Sequence, residues 1–533
     1  MLYSKQHNCV VYEHSEPYQV VAAIAEARPL NGKFVAVPAT LHNMQLARLL
    51  GLPVPDLLDI AGYDWPIAPG RSPLAHQKYA ANFHIMHPRH FDLSEMGTMK
   101  TLSALWAADY LMQEGLVHRC LIISPLSTLK RVWEDEIFRN FMSDRSSVIL
   151  HGAREERLAD LRRPRDFYIV NHDGVTIGTK RSSGGRQMTI GPLAQAIKDR
   201  DDIDLILVDE CSAYKDYASL RTRVLRQAIA GKPYIWMLSG TPTPNSPTDA
   251  YSLARMLGGL QTESFKSFQS RVMHRISTFK WIANRGSADI VRQVLAPAVR
   301  FSRAECIDLP EVVVETRDVE LSVTQNVAYK ALKSDLQVTL KNGKTITAIN
   351  EAVLRTKLLQ ITNGCVYGPD HEVHKTDAAP RFQVLKEIID EAPAKVLVFA
   401  PFTAVVHMLY AELKAAYSEK AVAMITGAVG ARQRDDIFGA FQQQDQPRMI
   451  VADPGTMSHG LSFPQAATIV WWGGTDRPEV YQQACDRITR PGQKLKMLIV
   501  HLASTPIERE LYRRLHEKQS LQGIILKMVE ADR

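Results

Sequence analysis

The chain has 533 residues, 45% of them hydrophobic and 23% charged, with a formal net charge of +7. That length suits about three domains with buried cores, and the apolar fraction with a small net charge excludes a disordered chain. The mild basic excess suits a phosphate-rich partner without naming one.

Six cysteines (Cys9, Cys120, Cys211, Cys306, Cys365, Cys485) lie far apart and form no CxxC pair, which argues against a zinc ribbon and a disulfide framework. The N-terminal stretch carries charges where a secretory leader needs an apolar core. No apolar run approaches the roughly 18–20 residues of a membrane span. These features predict a reducing, cytoplasmic, nucleic-acid-containing compartment and no membrane partner.

Residues 1–70 alternate short apolar stretches with Pro and Gly and predict a small accessory domain. A strand is expected around Val35–Val37 and a short helix over His42–Leu50. No chemical motif occurs there, so a protein partner is its one suggested role. From about Pro73 continuous apolar runs alternate with helical stretches: 120–125, 147–152, 166–171, 204–210 and 234–240. Runs of this kind suit strands buried on both faces of a parallel sheet. The connectors 101–113 and 128–141 have helical periodicity, so 71–255 reads as a doubly wound α/β lobe. The pattern returns at 395–401, 421–427, 448–454, 467–473 and 496–503, giving a second α/β lobe over 376–533 with a C-terminal helix. The stretch 256–375 between them reads as a helical insertion and inter-lobe linker.

Ser94-Glu95-Met96-Gly97-Thr98-Met99-Lys100-Thr101 precedes a helix. Backbone amides in a tight loop and a helix N-terminus make an anion site. Lys100 can reach β/γ-phosphates, and the Thr101 hydroxyl can hold Mg²⁺. Met99 stands where such loops usually place Gly. Asp209 and Glu210 close the run 204–210 at the edge where α/β sheets bind ligands. One carboxylate can hold Mg²⁺ while its neighbour orients and deprotonates water. Ser239-Gly240-Thr241-Pro242 closes another strand, with Ser239 and Thr241 placed to sense a γ-phosphate; a plain strand-to-loop turn is the alternative. Gln483, Arg487 and Arg490 are spaced to share one helical face, and arginines aimed at a transferring phosphoryl group are worth roughly 10³–10⁵ in rate.

In order along 72–510, these motifs resemble helicase superfamily two and, within it, the Swi/Snf-type DNA translocases in a compact bacterial or viral form. Leu74-Ala75-His76-Gln77 resembles the adenine-recognition element. Ser94–Thr101 resembles motif I, 123–129 with Trp133 and Glu136 motif Ia, and Asp209-Glu210-Cys211-Ser212 the DEAH box. Residues 238–242 resemble motif III, 300–310 with 319–329 the link between lobes, 395–399 motif IV, 458–463 motif V and 483–493 motif VI. Thr505-Pro506-Ile507-Glu508 resembles the closing element with an inserted Pro. Ser212 replaces the DEAH histidine, and Ser462 stands where Asn is frequent.

The resemblance implies two RecA-like lobes, with ATP and Mg²⁺ as cofactors. Gln77, Met96, Gly97, Thr98, Met99, Lys100, Thr101 and Gly460 would bind ATP, and Thr101 and Asp209 the metal. Lys100, Asp209, Glu210, Arg487 and Arg490 would be catalytic, with Ser239, Thr241 and Gln483 coupling hydrolysis to movement. Double-stranded DNA, held independently of sequence, would be the partner. Phosphate contacts are then expected from Ser124, Thr128, Lys130, Arg131, Thr243, Thr403 and Thr426. Trp471 and Trp472 end an apolar run and are expected in the core. A strand-separating or annealing helicase and a weakly catalytic nucleic-acid scaffold are the two alternatives.

Overall fold

The computed structural model describes residues 1–181, 188–277, 280–306, 310–335, 337–339, 345–347, 351–368, 370, 372–457, 463–489 and 493–517. The described residues divide after Cys306 into two compact units.

The first unit is built on a seven-stranded sheet. Its spatial order is Ala298–Val299, Arg89–Asp92, Tyr234–Leu238, Ile203–Val208, Arg119–Ser124, Phe167–Asn171 and Ser147–Ile149. Every pairing is parallel. Parallel strands need crossovers, and the helices that supply them cover both faces. The strand Ile203–Val208 is buried at every position, as its unbroken apolar run requires. The strands predicted at 120–125, 147–152, 166–171, 204–210 and 234–240 are all present.

Arg89–Asp92 was not foreseen, because Arg-His-Phe-Asp carries no apolar run. It is nonetheless interior, with His90 and Asp92 fully buried. Its histidine is bonded on both ring nitrogens: His84 Nδ1 and His90 Nε2 lie 2.5 Å apart, and His90 Nδ1 bonds the His87 carbonyl at 2.7 Å.

The N-terminal residues form an antiparallel sheet in the order Leu2–Ser4, Cys9–Glu13, Phe34–Pro38, Arg28–Pro29, with helices Pro17–Ala23 and Leu41–Leu49. Its core is continuous with one face of the large sheet, running from Val10, Tyr12 and Val35 to Trp106, Trp133 and Trp236. Trp65 packs edge-on against Trp106, whose Nε1 donates to the Pro66 carbonyl at 2.7 Å.

The second unit has a six-stranded sheet in the order Val312–Asp318, Met497–Ala503, Ala466–Trp471, Lys395–Phe399, Met449–Ala452, Val422–Ile425. It too is parallel throughout. The five predicted strands of this lobe are present, and Val312–Asp318 adds an edge. Trp471 and Trp472 are both fully buried. The stretch 256–375 is more varied than a helical insertion. Ala298–Val299 joins the first sheet and Val312–Asp318 the second. Hairpins at 273–283, 337–347 and 365–375 accompany the helices. Among the described residues no helix is long and apolar enough to cross a membrane.

Candidate active site

Four neighbouring strands of the first sheet end at one edge, and each is followed by a motif. Arg89–Asp92 leads into the phosphate loop, Tyr234–Leu238 into Ser239–Thr243, Ile203–Val208 into Asp209-Glu210, and Arg119–Ser124 into the 125–134 turn. Sheet order therefore gathers chemistry that the sequence spreads over 150 positions.

The loop Ser94–Met99 turns through two left-handed residues, Gly97 at φ +91° and Met99 at φ +59°. Glycine has no Cβ to clash there; methionine does, at roughly 1–2 kcal/mol. The helix Lys100–Gln113 begins at once, with its first-turn amides at the loop. Lys100 Nζ donates to the Ser94 carbonyl at 3.1 Å, spanning the loop, and the Thr98 hydroxyl donates to the Glu95 carbonyl at 2.8 Å. Gln77 Nε2 donates to the Met99 carbonyl at 3.3 Å, and His76 Nε2 bonds the Thr98 carbonyl at 2.9 Å. The start of helix Ala75–Met86 thus holds the loop's second half. Thr101 is half-buried on the next helical position.

Asp209 and Glu210 are both buried. Asp209 Oδ2 accepts from Ser124 Oγ and from Trp133 Nε1, each at 3.1 Å, and Oδ1 accepts from the Glu210 amide at 3.0 Å. Glu210 is left-handed at φ +50°, a strain of the kind that collects at functional sites. Burial pushes the Cys211 thiol up; Glu210 and Asp209 act in the same sense, and Lys100 opposes them. The lysine of the loop and the carboxylate pair therefore share one electrostatic neighbourhood.

Ser239 donates its amide to the Asp92 carbonyl at 3.0 Å, and its hydroxyl accepts from the Thr241 amide at 3.1 Å. A Cβ on Gly240 would stand 3.4 Å from the Met96 amide and 3.5 Å from the Ser94 carbonyl, so this turn lies against the phosphate loop. Among the described residues Thr241 Oγ1 and Thr243 Oγ1 are buried without a hydrogen-bond partner.

The expected phosphate contacts divide. Ser124 and Thr128 are buried, hydrogen-bonded to one another, and Ser124 is bonded to Asp209. The Ser124 hydroxyl thus braces the carboxylate, with Thr128 behind it. Thr243 and Thr426 are likewise buried. Lys130 is exposed and paired with Glu134 at 3.5 Å, Arg131 is half-buried, and Thr403 is exposed at the start of the helix Thr403–Ala416.

In the second unit, helix Pro478–Cys485 carries Gln483, which is buried. The helix stops at Cys485, so Arg487 lies in the following turn and does not share a helical face with Gln483. The Phe463 amide donates to the Arg487 carbonyl at 2.8 Å, and the Thr489 hydroxyl donates to the Cys485 carbonyl at 3.3 Å. Both take carbonyls that a further helical turn would use. Arg487 is fully buried. Arg490, Gly460, His459 and Ser462 lie outside the described residues.

The chain matches the SNF2-related domain over residues 93–365 and the helicase conserved C-terminal domain over residues 380–492. It belongs to the SNF2-related family. Protein p41 of Acyrthosiphon pisum secondary endosymbiont phage 1 is 24% identical over 82% of this chain and 94% of its own length. The Arabidopsis thaliana ISWI chromatin-remodeling complex ATPase CHR11 is 24% identical over 81% of this chain, which spans 40% of that relative. The solved Sulfolobus solfataricus SWI2/SNF2 ATPase core in complex with dsDNA is 20% identical over 87% of this chain and 95% of its own, with a TM-score of 0.40. This SNF2-related chain is an ATP-hydrolysing enzyme of helicase type and, at the level of its family, a DNA-dependent ATPase.

Its site has supports that sequence motifs did not reveal. Arg300 is buried and donates to the Leu93 carbonyl and to Glu95 Oε1, both at 2.9 Å; the Arg303 amide donates to Glu95 Oε2 at 2.9 Å. These bonds clamp the entry of the phosphate loop from more than 200 residues away. Asp92 Oδ1 accepts from the Ser94 amide at 2.9 Å, while His84 Nε2 stands 3.4 Å from Asp92 Oδ2. Burial pushes the Asp92 carboxyl up, but His84, Lys100 and Ser94 outweigh it and hold it below its ordinary range. Among the described residues no group of His, Cys, Asp or Glu forms a metal-holding cluster.

The buried histidines also set an acid limit. Burial and the neighbouring Arg48 push His87 down to about 3, and burial with His84 and His87 pushes His90 down as well. Both are neutral in the folded unit and take up protons on unfolding. Their contribution is whole above the ordinary value of 6.5 and is lost as pH falls from there toward the folded values. Each histidine is worth about 1.4 kcal/mol per pH unit in that window. The urea midpoint of the first unit is expected to fall steadily below pH 6.5, and His90→Gln to remove about half of that slope. A midpoint independent of pH between about 6.5 and 5 would contradict the neutral cluster.

Proposed function

We propose that the chain is a motor that couples ATP hydrolysis to translocation on double-stranded DNA, without sequence preference, and so remodels DNA or protein–DNA complexes. The observation that carries this reading is the convergence of the Lys100 loop, the Asp209-Glu210 pair and the Ser239 turn at one sheet edge. It is supported by the chromatin-remodelling ATPase among the relatives.

In this reading Lys100 and the loop amides hold the β- and γ-phosphates, and Glu210 orients and deprotonates the attacking water. Oxygen donors suit Mg²⁺, and the Asp209 carboxylate and the Thr101 hydroxyl are such donors. Thr101 and Asp209 would hold the ion, which would neutralise charge developing on the phosphates. Ser124, Thr128 and Trp133 are positioning residues that fix Asp209. Arg487 and Arg490 keep the transition-state role that the resemblance gives them. Lys130, Arg131 and Thr403 remain the phosphate contacts. The N-terminal sheet is assigned to a protein partner, and the cytoplasm of a bacterial or virus-infected cell is the proposed location.

Strand displacement from a DNA triplex tests the reading. ATP should drive release of the third strand while the underlying duplex stays paired, and a non-hydrolysable analogue should not. Release of single strands from the duplex would establish the helicase alternative.

A further inference from the structure

Residues 265–288 contain Lys266, Arg271, Arg275, Lys280 and Arg285 and no Asp or Glu. After the helix Phe265–Val272 they form an antiparallel ribbon, Met273–Ser277 with Lys280–Ala283, in which Arg275 lies directly opposite Trp281. The base of the ribbon is fixed. Val272 is fully buried, and the Asn284 amide donates to its carbonyl at 2.9 Å. Asn284 Nδ2 donates to the Ser270 and Arg271 carbonyls at 3.2 and 2.9 Å, and Asn284 Oδ1 meets His274 Nδ1 at 2.7 Å.

Beyond that base the described residues of the ribbon are exposed, and Arg275 Nε donates to the Ser277 carbonyl at 2.9 Å. His274, Arg275 and Arg285 are exposed, as are Ile276 at 51%, Trp281 at 37% and Ile282 at 40%. Cross-strand partners share a face, so an arginine and a tryptophan stand side by side on solvent. Cations next to a flat ring suit a polyanion that also offers flat, stackable groups. A two-stranded ribbon is narrow enough for the major groove of B-DNA, about 12 Å wide. None of the motor motifs lies in this segment.

We propose that the paired strands Met273–Ser277 and Lys280–Ala283, with Arg285 after them, are a second DNA contact that grips the duplex outside the motor motifs. Arg275 and Arg285 meet phosphates, and Trp281 lies against the sugar–base surface between them. Phosphate contacts carry no sequence information, which suits a moving motor. The inference rests on the DNA-motor reading above.

The test is the affinity of the full chain for a mixed-sequence duplex across roughly 50–200 mM salt, compared with Arg275→Gln/Arg285→Gln, Arg285→Gln alone and Trp281→Ala. Each lost phosphate contact lowers the slope of log K against log salt by about 0.9. The double variant should lose about 1.8 from that slope and bind at least tenfold more weakly at low salt, and Arg285→Gln should lose about half as much. Trp281→Ala should weaken binding with the slope kept. ATP turnover without DNA should be unchanged in all three, showing that they fold. A wild-type protein that ignores duplex DNA would end the motor reading, and this one with it. Wild-type binding with an unchanged slope in both arginine variants would overturn the ribbon alone. A loss confined to single strands would overturn its assignment to duplex.

Discussion

Glu210→Gln is expected to lower ATP turnover by about 10³-fold while ATP binding persists, since a positioned general base contributes roughly 10²–10⁴. Glutamine keeps the shape of the side chain but cannot take a proton from water. The backbone makes the expectation sharp. Glu210 follows the strand Ile203–Val208 and is held left-handed at φ +50°, with its amide bonded to Asp209. The chain bears that strain at the residue proposed as the general base. Lys100→Ala should behave differently. Its ammonium holds the loop through the Ser94 carbonyl, so its loss should weaken ATP binding as well as turnover. Rapid-quench turnover at saturating ATP, with nucleotide affinity measured separately, distinguishes the two. A Glu210→Gln protein that keeps most of its turnover would assign the base elsewhere.

Removing one partner of the buried Arg381–Glu508 pair is expected to cost the second unit about 3–5 kcal/mol. Both side chains are at most 2% exposed and lie 2.6 Å apart. Glu508 Oε1 also accepts from Thr362 Oγ1 at 3.1 Å, while Oε2 accepts from the Ser504 and Thr505 amides and the Thr505 hydroxyl at 2.9–3.1 Å. Arg381 donates in addition to the Trp472 carbonyl at 2.9 Å. One ion pair thus ties helix Glu351–Thr362, helix Ala379–Glu391, the end of the Ala466–Trp471 strand and the 504–508 turn. Arg381→Met leaves a carboxylate in the interior without its cation, and Arg381→Met/Glu508→Gln should recover part of the loss. Urea unfolding of the second unit measures both. A cost under about 1 kcal/mol would be that of a surface pair and would contradict the buried network.

Chain order and lobe architecture were readable because strands buried on both faces must be apolar throughout, as Ile203–Val208 is. Arg89–Asp92 escaped because its interior position depends on His84 and His90, which satisfy polar groups no hydropathy pattern marks. Lys100 at a loop-to-helix junction and Asp209 and Glu210 at a strand end were readable as residue types in positions that phosphate chemistry uses. Arg300, Trp133 and Glu508 fall within the motifs, but the contacts they make across the fold are not encoded in residue spacing. Ser124 and Thr128 were read as hydroxyls after a strand end, but spacing does not show their contacts: Ser124 and Trp133 bond Asp209, and Thr128 bonds Ser124 and the Pro125 carbonyl.

In the proposed motor, a DNA duplex stimulates ATP hydrolysis at the Lys100 loop. Steady-state ATP turnover of the full chain with magnesium, measured with duplex DNA, single-stranded DNA, RNA and no nucleic acid, addresses it directly. The highest rate is expected with duplex, and background in every condition for Lys100→Ala. A rate indifferent to duplex, or one that survives the loss of Lys100, would contradict it.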